Sequence, residues 1–177
     1  NLVIPNGANN FLSYINSRYN GTDRGTKYEC WTYEGYSLVI PTIGASTFGV
    51  SVGLKSINAN VKNSIAFRFC MDSAKKGLIE VYHNESTATI YAVTSAPLVI
   101  NSGDVTDFTI RRIYNSFIVT WRNITTPSTV TFHYNIPLNT SIVTPNYAVP
   151  VIYANGGATT LDRFVWTSNV LKNPDFL

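Results

Sequence analysis

The chain has 177 residues and a formal net charge of +3; 13% of its residues are charged and 45% are hydrophobic. This composition excludes intrinsic disorder, which needs low hydrophobicity and high charge, and the length predicts one domain, 1–177, with a buried core. The 13 Lys and Arg residues are scattered, whereas a nucleic-acid-binding protein usually carries a basic stripe, so we expect no nucleic-acid partner.

Short runs in which apolar and polar residues alternate recur along the whole chain, about every ten residues, with turn signals such as Asn-Gly-Thr and Asn-Ser-Gly-Asp between them. The predicted strands are Phe11–Ile15, Lys27–Thr32, Tyr36–Ile40, Thr47–Leu54, Ser64–Cys70, Gly77–Tyr82, Thr87–Val93, Pro97–Ile100, Thr106–Ile113, Ser116–Arg122, Ser128–Tyr134, Ala148–Ala154 and Leu161–Trp166. Many short strands at this spacing predict an all-β fold, an antiparallel β-sandwich or jelly roll with the general architecture of concanavalin or galectins.

The clearest hairpin in the sequence is Asn115–Tyr134, NSFIVTWRNITTPSTVTFHY. Phe117, Val119 and Trp121 alternate with polar or smaller residues, and a second alternating run follows the turn. Because alternate residues of a strand share one face, Trp121 is predicted to lie in the core.

Several features predict a secreted chain. No uninterrupted apolar run approaches the roughly 18 residues of a membrane-spanning helix, so we expect no membrane span. The chain begins with Asn1 rather than Met, which is typical of a processed chain or a fragment. Four N-glycosylation sequons fall in predicted turns, where a glycan can be accommodated. They are at Asn20, Asn84, Asn123 and Asn139.

The two cysteines, Cys30 and Cys70, are far apart in sequence and form no metal-binding motif. In a secreted chain this pair predicts one disulfide. The alternative is two buried free thiols that act as small hydrophobic residues.

The aromatic stretch Tyr28–Tyr36, YECWTYEGY, provides the candidate ligand-binding residues. If Cys30 points inward, Glu29, Trp31 and Tyr33 share the outer face of the strand. Aromatic rings beside a carboxylate are typical of sugar sites. Two alternatives remain: the segment Leu2–Tyr19 covers this face, or the strand is inverted and the aromatic residues lie in the core.

No motif for catalysis occurs in the right context. Gly49–Gly53 matches G-x-S-x-G, but apolar residues alternate through the serine and no helix follows, so a strand is predicted. His83 and His133 have no suggestive neighbours. Ser102–Asp107 carries two Asp that would offer oxygens to calcium, but a charged turn that caps a strand is the favoured interpretation. We expect no cofactor and no enzymatic activity.

The second half, about Ser64 to Trp166, resembles the farnesoic acid O-methyltransferase-like domain of animal proteins. The resemblance rests on Tyr114–Asn123, YNSFIVTWRN, on the upstream strand SIAFRF and on a late strand that ends at Trp166. It implies a β-sandwich recognition module. The family name implies methyl transfer, but no glycine-rich turn for S-adenosylmethionine is present, and no functional residues are carried over.

Together these features predict a secreted, non-catalytic recognition module whose ligand is carbohydrate. The alternative is an extracellular structural protein, such as a coat, matrix, storage or filament subunit, that associates with copies of itself.

Overall fold

The computed structural model describes residues 2–4, 12–13, 30–44, 46–55, 61–83, 90–113, 115–136 and 149–168, and these contain strands without a helix. The strands are β1 (Leu2–Ile4), β2 (Leu12–Ser13), β3 (Cys30–Val39), β4 (Thr47–Lys55), β5 (Val61–Cys70), β6 (Ile79–His83), β7 (Ile90–Val93), β8 (Val105–Ile113), β9 (Ser116–Asn123), β10 (Ser128–Asn135), β11 (Val149–Asn155), β12 (Thr159–Leu161) and β13 (Arg163–Ser168). Within these ranges there is no apolar helix of a length that would cross a bilayer.

The strands form two main antiparallel sheets. The five-stranded sheet has the order β10-β9-β8-β3-β13, and the six-stranded sheet has the order β2-β11-β4-β5-β6-β7. A small third sheet pairs β1 with β12. This arrangement confirms the predicted antiparallel β-sandwich.

The core lies between the two sheets and is rich in aromatic residues. The ring of Phe108, from the five-stranded sheet, lies 5.4 Å from that of Phe48 and 5.1 Å from that of Phe69, both from the six-stranded sheet. Trp121 is fully buried, as predicted, and its ring lies edge-on to Phe69 at 5.2 Å. Its indole N–H donates to the Thr106 hydroxyl at 3.0 Å, so the one polar atom of the ring is satisfied.

The predicted hairpin is confirmed, but three strand predictions are wrong. Lys27–Thr32 and Tyr36–Ile40 were expected as separate strands, whereas β3 runs unbroken through the apparent turn from Cys30 to Val39. Pro97–Ile100 is not a strand. Two hydrogen bonds hold its backbone instead. The Leu98 N–H donates to the Gly77 carbonyl, and the Val99 carbonyl accepts from the side-chain amide of Asn123 at the end of β9.

The predicted disulfide is also wrong, because Cys70 is a free, buried thiol. Cys30 and Cys70 belong to different sheets, in β3 and β5. In β5, Phe67 and Phe69 occupy the core face, which leaves the next residue, Cys70, on the side away from the opposite sheet.

We expect Cys70 to be unreactive in the folded protein. Burial, together with the nearby negative charge of Glu80, raises the pKa of the thiol, so the reactive thiolate is scarce at neutral pH. Alkylation under native conditions should therefore leave Cys70 unmodified, and alkylation in denaturant without reductant should label it completely. A peptide in which Cys70 is bonded to Cys30, or rapid native labelling, would contradict the structure.

Candidate functional site

The aromatic site predicted from the sequence does not form at Tyr33. This side chain is 0% exposed and stacks on Phe164 with 5.6 Å between ring centroids. Burial raises the pKa of its hydroxyl. The expectation rested on a disulfide at Cys30, but Cys70 is a free thiol. At Tyr33 the alternative holds, with the aromatic residue in the core. Trp31 lies in β3, paired with Arg112 and Ser168, and Glu29 lies outside the described residues.

The sequon residue Asn123 is buried in this fold. Its side chain is 1% exposed, and its amide nitrogen donates to the Val99 carbonyl at 2.8 Å and to the Asp104 carboxylate at 2.7 Å. A glycan would be attached to this same nitrogen, which is buried and already makes two hydrogen bonds. Glycosylation at Asn123 stays a prediction that this burial disfavours, whereas Asn20, Asn84 and Asn139 lie outside the described residues.

The best-defined open surface is the side of the five-stranded sheet that faces away from the core, called here the outer face. Its middle row is formed by Glu34, Thr109, Thr120 and Thr131, which lie side by side on β3, β8, β9 and β10. These residues alternate with core residues such as Ile110, Val119 and Trp121, so strand periodicity places their polar groups outward. The Thr120 and Thr131 hydroxyls are 3.4 Å apart.

A β-bulge in β3 shapes one end of the outer face. The register between β3 and β8 shifts between Gly35 and Leu38, so Tyr36 and Ser37 both lie opposite Asp107. Ser37 has a φ of 57°, a left-handed conformation that is uncommon for a residue other than glycine. Its N–H donates to Asp107 Oδ1 at 3.0 Å, which holds the bulge in place.

The bulge brings aromatic and charged groups together. The Arg163 guanidinium lies over the Tyr36 ring, 4.3 Å from its centroid. Asp107 Oδ2 accepts from Arg122 at 3.0 Å. Glu34 continues the same side of β3 beside Tyr36. The result is an aromatic ring bordered by guanidinium, carboxylate and hydroxyl groups. The sequence alone could not predict these polar neighbours of Tyr36, because they come from four different strands, β3, β8, β9 and β13.

No family model and no curated protein sequence matches the chain. Among solved structures, the lectin UEA-II complexed with galactose aligns with a TM-score of 0.57 at 12% identity, over 80% of this chain and 73% of that chain. Lectin II from Ulex europaeus aligns with the same TM-score and identity, over 80% of this chain and 74% of its own. The chain shares the antiparallel β-sandwich fold of these lectins. The enzymatically active domain of tailspike protein 2 from bacteriophage CBA120 also aligns, with a TM-score of 0.56 at 16% identity over 83% of this chain but only 23% of its own.

The β-sandwich carries a second polar cluster on the six-stranded sheet. Glu80 accepts from Lys75 Nζ and from the Tyr82 hydroxyl, each at 2.7 Å, and the Arg68 guanidinium lies 3.9 Å from the centroid of the Tyr82 ring. Burial alone would raise the pKa of Glu80, but the hydrogen bonds from Lys75, Tyr82 and Cys70 and the Lys75 charge outweigh it and lower the pKa. Glu80 and Tyr82 are both buried, so this cluster holds the fold together rather than presenting groups to a ligand.

The remaining sequence features that suggested a catalytic or metal site lie in ordinary strands and turns. Gly49–Gly53 lies inside β4, as predicted, with no turn at the serine. His133 is exposed on β10, and His83 ends β6. Asp104 is buried and accepts from the Asn101 N–H at 2.8 Å, which is the expected turn cap. In the described ranges, no three His, Cys, Asp or Glu side chains are grouped so that they would hold a metal ion.

Proposed function

We propose that this protein is a non-catalytic carbohydrate-binding module and that the sugar binds on the outer face, around Tyr36. The observation that carries the proposal is the Tyr36 ring beside Arg163, Glu34 and the Asp107–Arg122 pair on an open polar surface. A pyranose ring offers one apolar side and a rim of hydroxyls, so it needs an aromatic ring next to charged and hydroxyl partners.

The groups of the outer face match the hydrogen-bonding needs of a sugar. Carboxylate oxygens accept from sugar hydroxyls, and guanidinium groups donate to them in a fixed planar geometry. Thr109 and Thr120 supply hydroxyls that both donate and accept. Arg163 is exposed, so its guanidinium can move from the Tyr36 ring to a ligand hydroxyl without unfolding any strand. The same fold in a lectin complexed with galactose supports this use of the scaffold.

The non-catalytic part of the proposal rests on how the carboxylates are engaged. Hydrolysis of a glycosidic bond requires two carboxyl groups on either side of it, one of them free to give a proton. On the outer face, both oxygens of Asp107 already accept hydrogen bonds, which leaves Glu34 without a free carboxylate on the neighbouring strand β8. Glu80 is buried with Lys75 and Tyr82 on the other sheet. We also propose an extracellular location, supported by the sequons at Asn20, Asn84 and Asn139.

Binding should be lost when the aromatic ring is removed. The full chain would be screened on a glycan array, and the strongest ligand would be measured by calorimetry with the wild type and with Tyr36→Ala. We expect the affinity to fall at least tenfold, which corresponds to roughly 1.4 kcal/mol, because the stacking surface is gone. Thr109→Val, which keeps the shape and removes one hydroxyl, should give a smaller loss.

Val93→Ala is the matched control, because Val93 is 47% exposed on the other sheet and its truncation leaves the outer face intact. Its affinity should equal that of the wild type. Circular dichroism would verify that each variant is folded. Unchanged binding by Tyr36→Ala, or no glycan bound by the wild type, would contradict the proposal.

A further inference from the structure

Strand β10 forms one edge of the five-stranded sheet, and among the described strands only β9 pairs with it. It pairs with β9 along its whole length without a register shift. The Ile136 N–H donates to the Asn115 carbonyl at 2.9 Å, which fixes the phase of the ladder: even-numbered residues of β10 bond to β9, and odd-numbered residues turn their N–H and C=O groups away. The outward-turned residues, all exposed, are Thr129, Thr131, His133 and Asn135.

This edge lacks the features that keep sheet edges from pairing. Edge strands that resist pairing are usually short, interrupted by a bulge, or protected by Lys or Pro. β10 has eight residues, no bulge and no Lys, Arg, Asp, Glu or Pro. The other described edges of the two main sheets differ: β7 has four residues and a register shift, β2 has two residues, and β13 begins with Arg163.

The core side of β10 is also incompletely covered. Val130 and Phe132 pack against the core but remain partly exposed. The Phe132 ring stacks on that of Tyr134, with 6.4 Å between centroids. The edge therefore combines outward-turned backbone groups with a partly exposed apolar rim, formed by Val130, Phe132 and Tyr134. A strand that paired with β10 would cover both.

We propose that two copies of the chain pair through β10, antiparallel to each other, about a two-fold axis at Phe132. In this register Thr131 lies opposite His133 of the second copy, and Thr129 lies opposite Asn135 of the second copy. All four outward-turned residues are then used, and the four residue pairs form about eight backbone hydrogen bonds. The two five-stranded sheets become one continuous sheet.

The side chains of β10 favour a second copy as the partner. Each Phe132 would lie directly opposite the other on the core side, and Val130 would lie opposite Tyr134, so the apolar rims cover each other. No like charges face across the axis, because His133 lies opposite Thr131. This pairing is independent of the proposed sugar site, although it would place two outer faces side by side.

The expected dimer is weak. A strand of eight residues is about 27 Å long, and a contact strip roughly 20 Å wide buries about 500 Å² on each partner, near the lower limit of specific interfaces. Dimerisation should therefore depend on concentration in the micromolar range, and analytical ultracentrifugation of the full chain would measure it.

Thr131→Pro tests the backbone pairing. The Thr131 N–H makes no bond to β9, so proline removes a donor from the dimer without removing one from the chain's own sheet. We expect dimerisation at least tenfold weaker with an unchanged circular dichroism spectrum. A wild type that stays monomeric up to millimolar concentration, or a folded Thr131→Pro that dimerises like the wild type, would overturn the proposal.

Cysteine cross-linking tests the register and does not depend on the proline variant. At the axis the two Phe132 residues form a non-hydrogen-bonded pair with a Cα separation of about 4.5 Å, within disulfide range. Phe132→Cys should give a covalent dimer on mild oxidation. Val130→Cys, on the same side of the same strand, should not, because it faces Tyr134 of the second copy. Equal cross-linking of both variants, or of neither while the dimer persists, would overturn the register.

Discussion

Gly35→Ala is expected to destabilise the fold strongly, because a methyl group at this position meets a buried aromatic ring. A Cβ built at Gly35 would lie 2.0 Å from Cε1 and 2.3 Å from Cζ of Phe108, so one of the two must move. The Phe108 ring is nearly fully buried and cannot rotate away, because Phe48 and Phe69 pack against it at 5.4 and 5.1 Å.

We expect Gly35→Ala to lower the free energy of unfolding by about 3 kcal/mol, the upper part of the usual range for overpacking a core. For a chain of this size, that loss lowers the melting temperature by roughly 6–12 °C. Thermal and denaturant unfolding of the wild type and the variant would measure the difference.

Gly44→Ala is the matched control for this substitution. The nearest atom to a Cβ at Gly44 is 3.9 Å away, which is an ordinary contact, so its unfolding free energy should change by less than about 0.5 kcal/mol. Combining Gly35→Ala with Phe108→Leu should cost less than the sum of the two single losses, because the smaller side chain leaves room for the methyl group. A melting temperature for Gly35→Ala equal to that of Gly44→Ala would show that the ring is not confined.

The bulge next to Gly35 also limits what alternation could predict about β3. Alternation predicted β8, β9 and β10 well, because each of these strands is regular over its whole length. In β3, Tyr33 and Gly35 face the core, and after the bulge Leu38 faces it as well, so the alternation shifts by one residue. Alternation within a single strand cannot reveal such a shift. Tyr33 precedes the bulge and was misplaced for a different reason, the expected disulfide at Cys30.

Asn123, in contrast, could have been placed correctly. Phe117, Val119 and Trp121 were all assigned to the core side of β9, and Asn123 continues the same alternation. Its sequon suggested a surface turn, but the turn begins only at the next residue, Ile124. The partners that satisfy its buried amide, Val99 and Asp104, come from a loop that the sequence suggested was partly a strand. The turn-forming residues around the sequon suggested a surface position for Asn123. The alternation along β9 would have placed its side chain on the core side.

The neighbours of Tyr36 at the candidate site could not be predicted without the strand order and register of the sheet. Tyr36 was part of the aromatic stretch noted in the sequence, but its partners Arg163 and Asp107 lie far away along the chain. They meet because β3 lies between β13 and β8 in the sheet. The order of strands in an antiparallel sandwich is set by long-range packing, so no local pattern around Tyr36 predicts which charged residues will surround it.

Glu80→Gln is the second substitution with a large expected effect, and its effect should depend on pH. At neutral pH the ionised Glu80 accepts from Lys75 and Tyr82 inside the sheet. Glutamine keeps much of the shape but loses the charge and turns one acceptor into a donor. Hydrogen bonds to charged groups contribute about 1.5–3 kcal/mol, and the partly exposed Lys75 can be rehydrated, so we expect a loss of about 2–3 kcal/mol at pH 7.

The pH dependence follows from the lowered pKa of Glu80 in the folded state. A carboxyl whose pKa is lower when folded stabilises the fold above its unfolded pKa, which is near 4.5, and this contribution disappears as the pH falls through the folded pKa. Urea unfolding at pH 7 and at pH 3 should therefore show a large difference between wild type and Glu80→Gln at pH 7 and a smaller one at pH 3. Asp107→Asn serves as the comparison, because its partner Arg122 is 58% exposed and such a pair contributes less than about 1 kcal/mol. If Glu80→Gln and Asp107→Asn lose equal stability at pH 7, or if the Glu80→Gln difference does not shrink at low pH, the buried carboxylate does not stabilise the sheet in the way described.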